Sequence, residues 1–203
     1  MLDHLVLATP DIAATSDWLA ERTGVVPSEG GPHVGRGTRN RLCSFGDTYL
    51  EIIGPDPDQP EPAEPRSFGI DTLSDARLIT WAARRSDLTT VVHAGASVGL
   101  SYTVPLAMRR EAPGVTLDWH LSLPAFDTEG GLLPFFIDWG SSPHPSASAA
   151  PGLSIVSIHG QHPQPERVNN LLTALGEDLE LRHGRVARLV VEVQGPAGRV
   201  TLP

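Results

Sequence analysis

Three polar residues interrupt runs that are otherwise apolar: His4 in LDHLVLA, Glu51 in YLEII and Asp138 in FFIDW. An acid in the middle of such a strand must find water, a cation or a partner. Glu51 also fits an outward-facing place on a one-sided sheet, and His4 fits a half-buried imidazole tied to backbone. In TLDWHLSLP, Asp118, His120 and Ser122 share one strand face, which is either a cleft wall or a solvated surface, and His120 is a candidate general base there. Arg39 and Asn40 in GTRN, with Arg109 and Arg110 in AMRREAPG, are the candidates for holding an anionic or carbonyl substrate, because guanidinium forks grip carboxylates in two contacts. His33 lies in the glycine-rich run GGPHVGRG and could cap a cleft, although a surface loop is the default place for it. His144, His159, His162 and His183 sit in Pro-rich or terminal contexts and receive no role.

Composition removes several chemistries. All 15 basic residues are Arg, so Schiff-base, pyridoxal-phosphate, Walker-type, protein-kinase and Ser-Lys mechanisms lack their amine. The single Cys43 excludes an internal disulfide, a multi-cysteine zinc site and a cysteine-ligated iron–sulfur cluster. GRGTRN is not the dinucleotide pattern, and no nucleophile elbow G-x-S-x-G occurs. A net charge of -9 argues against a nucleic-acid partner. The apolar runs are too short to span a membrane, and MLDHLVLATP carries an acid where a signal peptide would carry basic residues, so a soluble cytoplasmic protein is expected.

The elements that must position these residues recur three times. Residues 2 to 8 read as a strand, and 11 to 23 as a helix stopped by Gly24. The pattern returns with strand 78 to 84, a helix opened by Ser86-Asp87 and closed by Gly99, and again with strand 153 to 159 and a helix from Pro163 to Gly176. From turn residue to closing Gly the interval is 14, 13 and 13 residues. After each helix the periodicity changes to two, which predicts about three strands. Two Pro- and Ser-rich stretches read as tethers. The expected layout is a first module at 1–55, a linker at 56–76, a second module at 77–140, a linker at 141–151, and a third, shortened module at 152–203.

A β-α-β-β-β unit duplicated in one chain, opened by LDHLVLATPDI and closed by GDTYLEIIGPD, with GTRN and LLPFFIDWG as closer marks, resembles the vicinal-oxygen-chelate superfamily and its glyoxalase-like domain group. The resemblance covers about residues 1 to 145. It implies an α+β fold of repeated βαβββ modules, of the glyoxalase/bleomycin-resistance/dihydroxybiphenyl dioxygenase type, with mixed, mainly antiparallel sheets and helices outside. It also implies a divalent metal (Zn, Fe, Mn, Ni or Co) held by side chains from the first and last strand of each module. Carried onto this chain, those positions are His4 and Glu51 in the first module and Thr80 and Asp138 in the second. Thr80 departs from the pattern, since a neutral hydroxyl is a poor ligand for a borderline metal, and that leaves His4, Glu51 and Asp138.

The resemblance supports a metal-dependent lyase, isomerase or dioxygenase acting on a small molecule with vicinal oxygens, with Glu51 or His120 as the base. The alternatives are a metal-free binding module, similar to the antibiotic-sequestering members of the superfamily, whose cleft is lined by Trp81, Trp119, Phe136 and Trp139, and a structural or regulatory domain with a degenerate cleft. The expected core is Leu5, Leu7, Leu19, Leu50, Ile52, Leu88, Val92, Leu121, Ile137, Leu172 and Val191. An exposed edge at LVVEV, residues 189 to 193, would need cover from the first two modules or from a homodimer.

Overall fold

Asp11 and Asp87 start the first two helices for the same physical reason. Each carboxylate accepts a backbone N–H of the first turn, from Ala14 at 3.0 Å and from Thr90 at 3.1 Å, and so satisfies a donor that the helix leaves unpaired. Gly24 and Gly99 end them with φ of +76° and +79°, a left-handed stop that suits glycine. In the computed structural model, which describes residues 1–112 and 115–203, the first module is β1 (Leu2–Ala8), α1 (Ile12–Thr23), β2 (Ser28–His33), β3 (Thr38–Ser44) and β4 (Tyr49–Pro55). The second is β5 (Arg77–Arg84), α2 (Leu88–Ser97), β6 (Leu106–Ala112), β7 (Val115–Ser122) and β8 (Phe135–Asp138). The third segment supplies β9 (Ser154–His162), α3 (Pro165–Ala174), β10 (Leu181–His183), β11 (Arg188–Gly195) and β12 (Gly198–Thr201).

Strand pairing follows the order β2-β3-β4-β1-β5-β8-β7-β6 in one sheet and β10-β9-β11-β12 in the other. In each of the first two modules three strands after the helix run back so that the last lies beside the first. The third segment repeats the element order but not the pairing. Its short β10 runs parallel to β9, with Leu181 opposite Gly160. A Cβ on Gly160 would stand 2.5 Å from the Leu181 side chain and 2.6 Å from that of Leu132, so glycine leaves room for both leucines. β11 lies between β9 and β12. LVVEV is therefore an interior strand, not the exposed edge that the sequence suggested.

By contact density the chain forms two compact units. One comprises Met1–His4, Thr80–Pro143 and Ile158–Val190, and the other Leu5–Ile79, His144–Ser157 and Val191–Pro203. The third segment is thus shared out between the two units. Of the expected core, Val92 and Leu121 are half-buried and the other nine residues are buried.

Both Pro-rich stretches are ordered by side chains. Arg66 donates to Glu61 (2.8 Å), to Asp71 (2.6 Å) and to the Gly37 carbonyl (2.8 Å). The second stretch docks through Ala150, whose N–H donates to Ser28 Oγ (3.0 Å) and whose carbonyl accepts from Ser44 N–H (2.8 Å). His144 meets the ring of Tyr49 edge-on, with centroids 5.5 Å apart.

Candidate functional site

Glu51 lies on β4 with only 7% of its surface exposed. Asn40 on β3 donates its amide to Glu51 Oε1 at 2.5 Å. The same amide nitrogen lies 3.4 Å from His33 Nε2, and His33 Nδ1 lies 3.0 Å from Thr38 Oγ1. The tautomer that satisfies both contacts carries its hydrogen on Nδ1 and accepts from Asn40 at Nε2. His33 Nε2 is 3.8 Å from Glu51 Oε1, so one amide bridges an imidazole and a buried carboxylate.

The local sequence explains this grouping. Gly35 and Gly37, with φ of +76° and +62°, turn the chain between β2 and β3, and the register then sets His33 opposite Thr38 and Gly31 opposite Asn40. The register shifts between Glu29 and Gly31, and a Cβ on Gly30 would fall 2.0 Å from Asn40 Oδ1. Glycine at that place leaves the amide its position. His33 belongs to a strand end, not the loop that the sequence suggested. The two glycines after it, which mark a short hairpin, are the signal that could have revealed this.

Arg39 and Asn40 do not share a surface, because neighbours on a strand face opposite ways. Asn40 is buried, while Arg39 is half-buried and reaches Glu29 (3.3 Å), Asp58 (3.3 Å) and Asp56 (3.8 Å). Its guanidinium already serves three carboxylates. Arg109 is exposed beside Glu111 (3.1 Å) and Asp118 (3.5 Å), whereas Arg110 is buried. His120 is exposed on β7 directly opposite Asp138 on β8. Asp138 is half-buried and accepts the Gly140 N–H at 2.8 Å.

In the same unit as Asp138, Asp3 is wholly buried, and its carboxylate accepts from His4 Nδ1 (2.7 Å), Arg84 Nε (2.7 Å) and Trp139 Nε1 (3.2 Å). Trp139, expected to line a ligand surface, instead spends its N–H on this acid and lies 5.4 Å from the ring of Trp119. The four aromatics proposed for one cleft divide between the two faces of a sheet. The register pairs Ala83 with Phe136 and Ala82 with Phe135, which puts Trp81 and Phe136 on one face and Trp139 on the other. Trp81 donates its N–H to the Leu132 carbonyl at 2.9 Å. Thr80 is 5% exposed and its hydroxyl has no hydrogen-bond partner.

The same unit holds a cavity of about 340 Å³ walled by Leu2, Trp81, Ile158 and Leu179 with the carboxylates of Glu177, Asp178 and Glu180. Its buried acid, Glu177, is ion-paired with Arg85 at 2.5 Å. None of the carboxylates or imidazoles nominated from the sequence lines it. Cavity shape and reactive groups therefore point to different places, and the reactive groups decide, since a neutralised carboxylate offers little chemistry.

Residues 2–176 match the sequence profile of the glyoxalase-like domain. The chain belongs to that family. With it goes membership of the vicinal-oxygen-chelate superfamily. No curated protein matches the sequence. A hypothetical protein from Staphylococcus aureus shares the fold at a TM-score of 0.70 and 14% identity, over 100% of this chain and 98% of its own. A Streptomyces coelicolor methylmalonyl-CoA epimerase variant, in complex with 2-nitronate-propionyl-CoA, is similar at a TM-score of 0.50 and 16% identity, over 71% of this chain and 98% of its own. At such identities the likeness is one of fold.

Membership of the vicinal-oxygen-chelate superfamily raises the question of a divalent metal. Among the described residues no group of three or more His, Cys, Asp or Glu side chains is placed to hold a metal ion. His4, Glu51 and Asp138 fall on β1, β4 and β8, the strands that the resemblance implies; Asp138 caps its own turn, and Glu51 accepts from the Asn40 amide. No helix among the described residues is long and apolar enough to cross a membrane.

Proposed function

We propose that this glyoxalase-like protein binds a small molecule bearing neighbouring oxygens and moves a proton on it, an isomerase- or lyase-type reaction with Glu51 as the base. The observation that carries this reading is the burial of Glu51 beside Asn40 and His33. A carboxylate within hydrogen-bond reach of a bound molecule can take its proton, and the Asn40 amide engages one of the two oxygens. Glu51 would take the proton from a carbon or hydroxyl of the ligand, while Asn40 holds its Oε1. The His33 ring, in reach of the same amide, holds that amide in its orientation.

Proton exchange tests the reading. Hydroxyacetone and related small α-hydroxy ketones in deuterium oxide, followed by proton NMR, should lose their methylene signal with the wild-type protein. Glu51→Gln should slow that loss by about a hundredfold or more, the usual range for removing an acid–base group. Ligand contact seen by saturation transfer with no exchange in any probe would instead establish the metal-free binding module.

A further inference from the structure

The cavity of about 340 Å³ in the unit of Asp138 has no place in the reaction outlined above. Its volume is within the range of small-molecule sites. Leu2 of β1, Trp81 of β5, Ile158 of β9 and Leu179 form its apolar walls. The Trp81 indole spends its N–H on the Leu132 carbonyl at 2.9 Å, which fixes the ring and leaves it only apolar surface to offer. Thr80, which the resemblance places at a metal position, is the neighbouring residue on β5 and faces the other way, so the cavity stands apart from that position.

The polar groups around the cavity are acceptors held in place. Gly176, with φ of +72°, turns the chain after α3. The Glu177 N–H donates to the Leu172 carbonyl at 2.9 Å, and the Glu180 carbonyl accepts the Gly160 N–H at 2.8 Å, so residues 177–180 are fastened to α3 at one end and to β9 at the other. Glu177 is 7% exposed. Its Oε2 accepts from the Met1 ammonium at 2.7 Å, while Oε1, though 2.5 Å from Arg85, receives no aligned hydrogen bond. A buried oxygen in that state is short of a donor. Glu180 is exposed and paired with Arg182 at 2.8 Å. Asp178 is exposed, and among the described residues its carboxylate has no such partner. No arginine among the described residues lines the cavity.

We propose that this cavity binds a small organic ammonium ion with an apolar body, such as an arylalkylamine. The body packs against Leu2, Trp81, Ile158 and Leu179, and the ammonium donates to Asp178 and to Glu177 Oε1. An ammonium carries three donors and no acceptor, which is what a lining of carboxylates calls for, and hydrogen bonds between charged groups are roughly twice as strong as neutral ones. A ligand ending in a carboxylate meets like charge at the same place. The site goes beyond the reaction proposed for Glu51 and does not depend on it.

The test compares three probes that share a phenyl body and differ in the head group: 2-phenylethylamine, 2-phenylethanol and 3-phenylpropionate. Each is titrated into nitrogen-15-labelled protein and followed by proton–nitrogen NMR. The amine should bind at least about tenfold more tightly than the alcohol, the margin of one hydrogen bond to a charged group, and the acid should bind more weakly than either. Asp178→Asn removes a charge at an exposed position, and should weaken the amine about three- to fivefold while leaving the alcohol unchanged. Ile158→Trp should fill the cavity and abolish binding of the amine. An amine that binds no better than the alcohol, that ignores Asp178→Asn, or that still binds to folded Ile158→Trp overturns the proposal, as does the absence of binding by all three probes. Should Ile158→Trp fail to fold, the head-group comparison and Asp178→Asn still decide. None of these titrations uses Glu51 or proton exchange, so the two proposals stand or fall separately.

Discussion

Asn40 reaches Glu51 diagonally across the β3–β4 ladder: its direct partner is Ile53, while Glu51 lies opposite Leu42, and the 2.5 Å bond spans the two rungs. Diagonal neighbours on one face are within reach of a side chain as long as asparagine or glutamate. Replacing Asn40 by Leu keeps the bulk but leaves a buried carboxylate short of a donor. The expected cost is about 1–3 kcal/mol of unfolding free energy, read from urea denaturation. An unchanged midpoint would show that the bond contributes nothing.

The Arg66 staple predicts a pH dependence. The Arg66 guanidinium holds the carboxyl groups of Glu61 and Asp71 below their usual values, through side-chain hydrogen bonds first in both cases. A depressed carboxylate stabilises the fold above its unfolded pKa and loses that contribution as pH falls through its lower folded pKa. Wild-type protein should therefore lose more stability between pH 5 and about pH 2 than Arg66→Gln does. Parallel titration curves for the two proteins would remove Arg66 from the account.

Burial pushes the Cys43 thiol up to about 12, and the thiolate is the reactive form. A disulfide reagent such as dithionitrobenzoate should leave the native protein unmodified at pH 8 and label one thiol per chain once it is unfolded. Rapid labelling of the folded protein would contradict the burial.

Gly160→Ala should weaken the third segment. The added methyl meets Leu181 and Leu132 at 2.5 and 2.6 Å, and overpacking of this kind typically costs about 1–3 kcal/mol. Faster hydrogen exchange at Arg182 and His183, with exchange in β3 and β4 unchanged, would locate the damage at β10.

Metal content provides a fifth test. Protein purified without chelator should hold well under one equivalent of transition metal by plasma mass spectrometry, because no group of three or more His, Cys, Asp or Glu side chains among the described residues is placed to hold one. One equivalent in wild type, lost in Glu51→Gln, would mean that the carboxylates do assemble around a cation.

How far the sequence could be read depended on the range of the interaction. Helix boundaries were legible, because Asp11, Gly24, Asp87 and Gly99 act on backbone within a few residues of themselves. Strand positions for His4, Glu51 and Asp138 were also legible from periodicity. What each carboxylate does was not, because its partner lies elsewhere: Trp139 meets Asp3 from 136 positions away, and Arg66 turns a Pro-rich stretch into an ordered one through Gly37. Composition marked 56–76 and 141–151 as tethers, but side-chain bonds that no local pattern encodes fasten them down. The third segment keeps the element order but pairs differently, with β10 parallel to β9, a long-range choice that periodicity does not encode.

The return of β4 to β1 and of β8 to β5 bears on the route by which the chain folds. Both closures join the two ends of a module, whereas the β11–β12 hairpin turns within the few residues from Gly195 to Gly198. Long-range pairing must overcome the entropy of closing a large loop before any contact repays it. The hairpins therefore have the kinetic advantage, and closing of the two modules is expected to be the slower step of refolding.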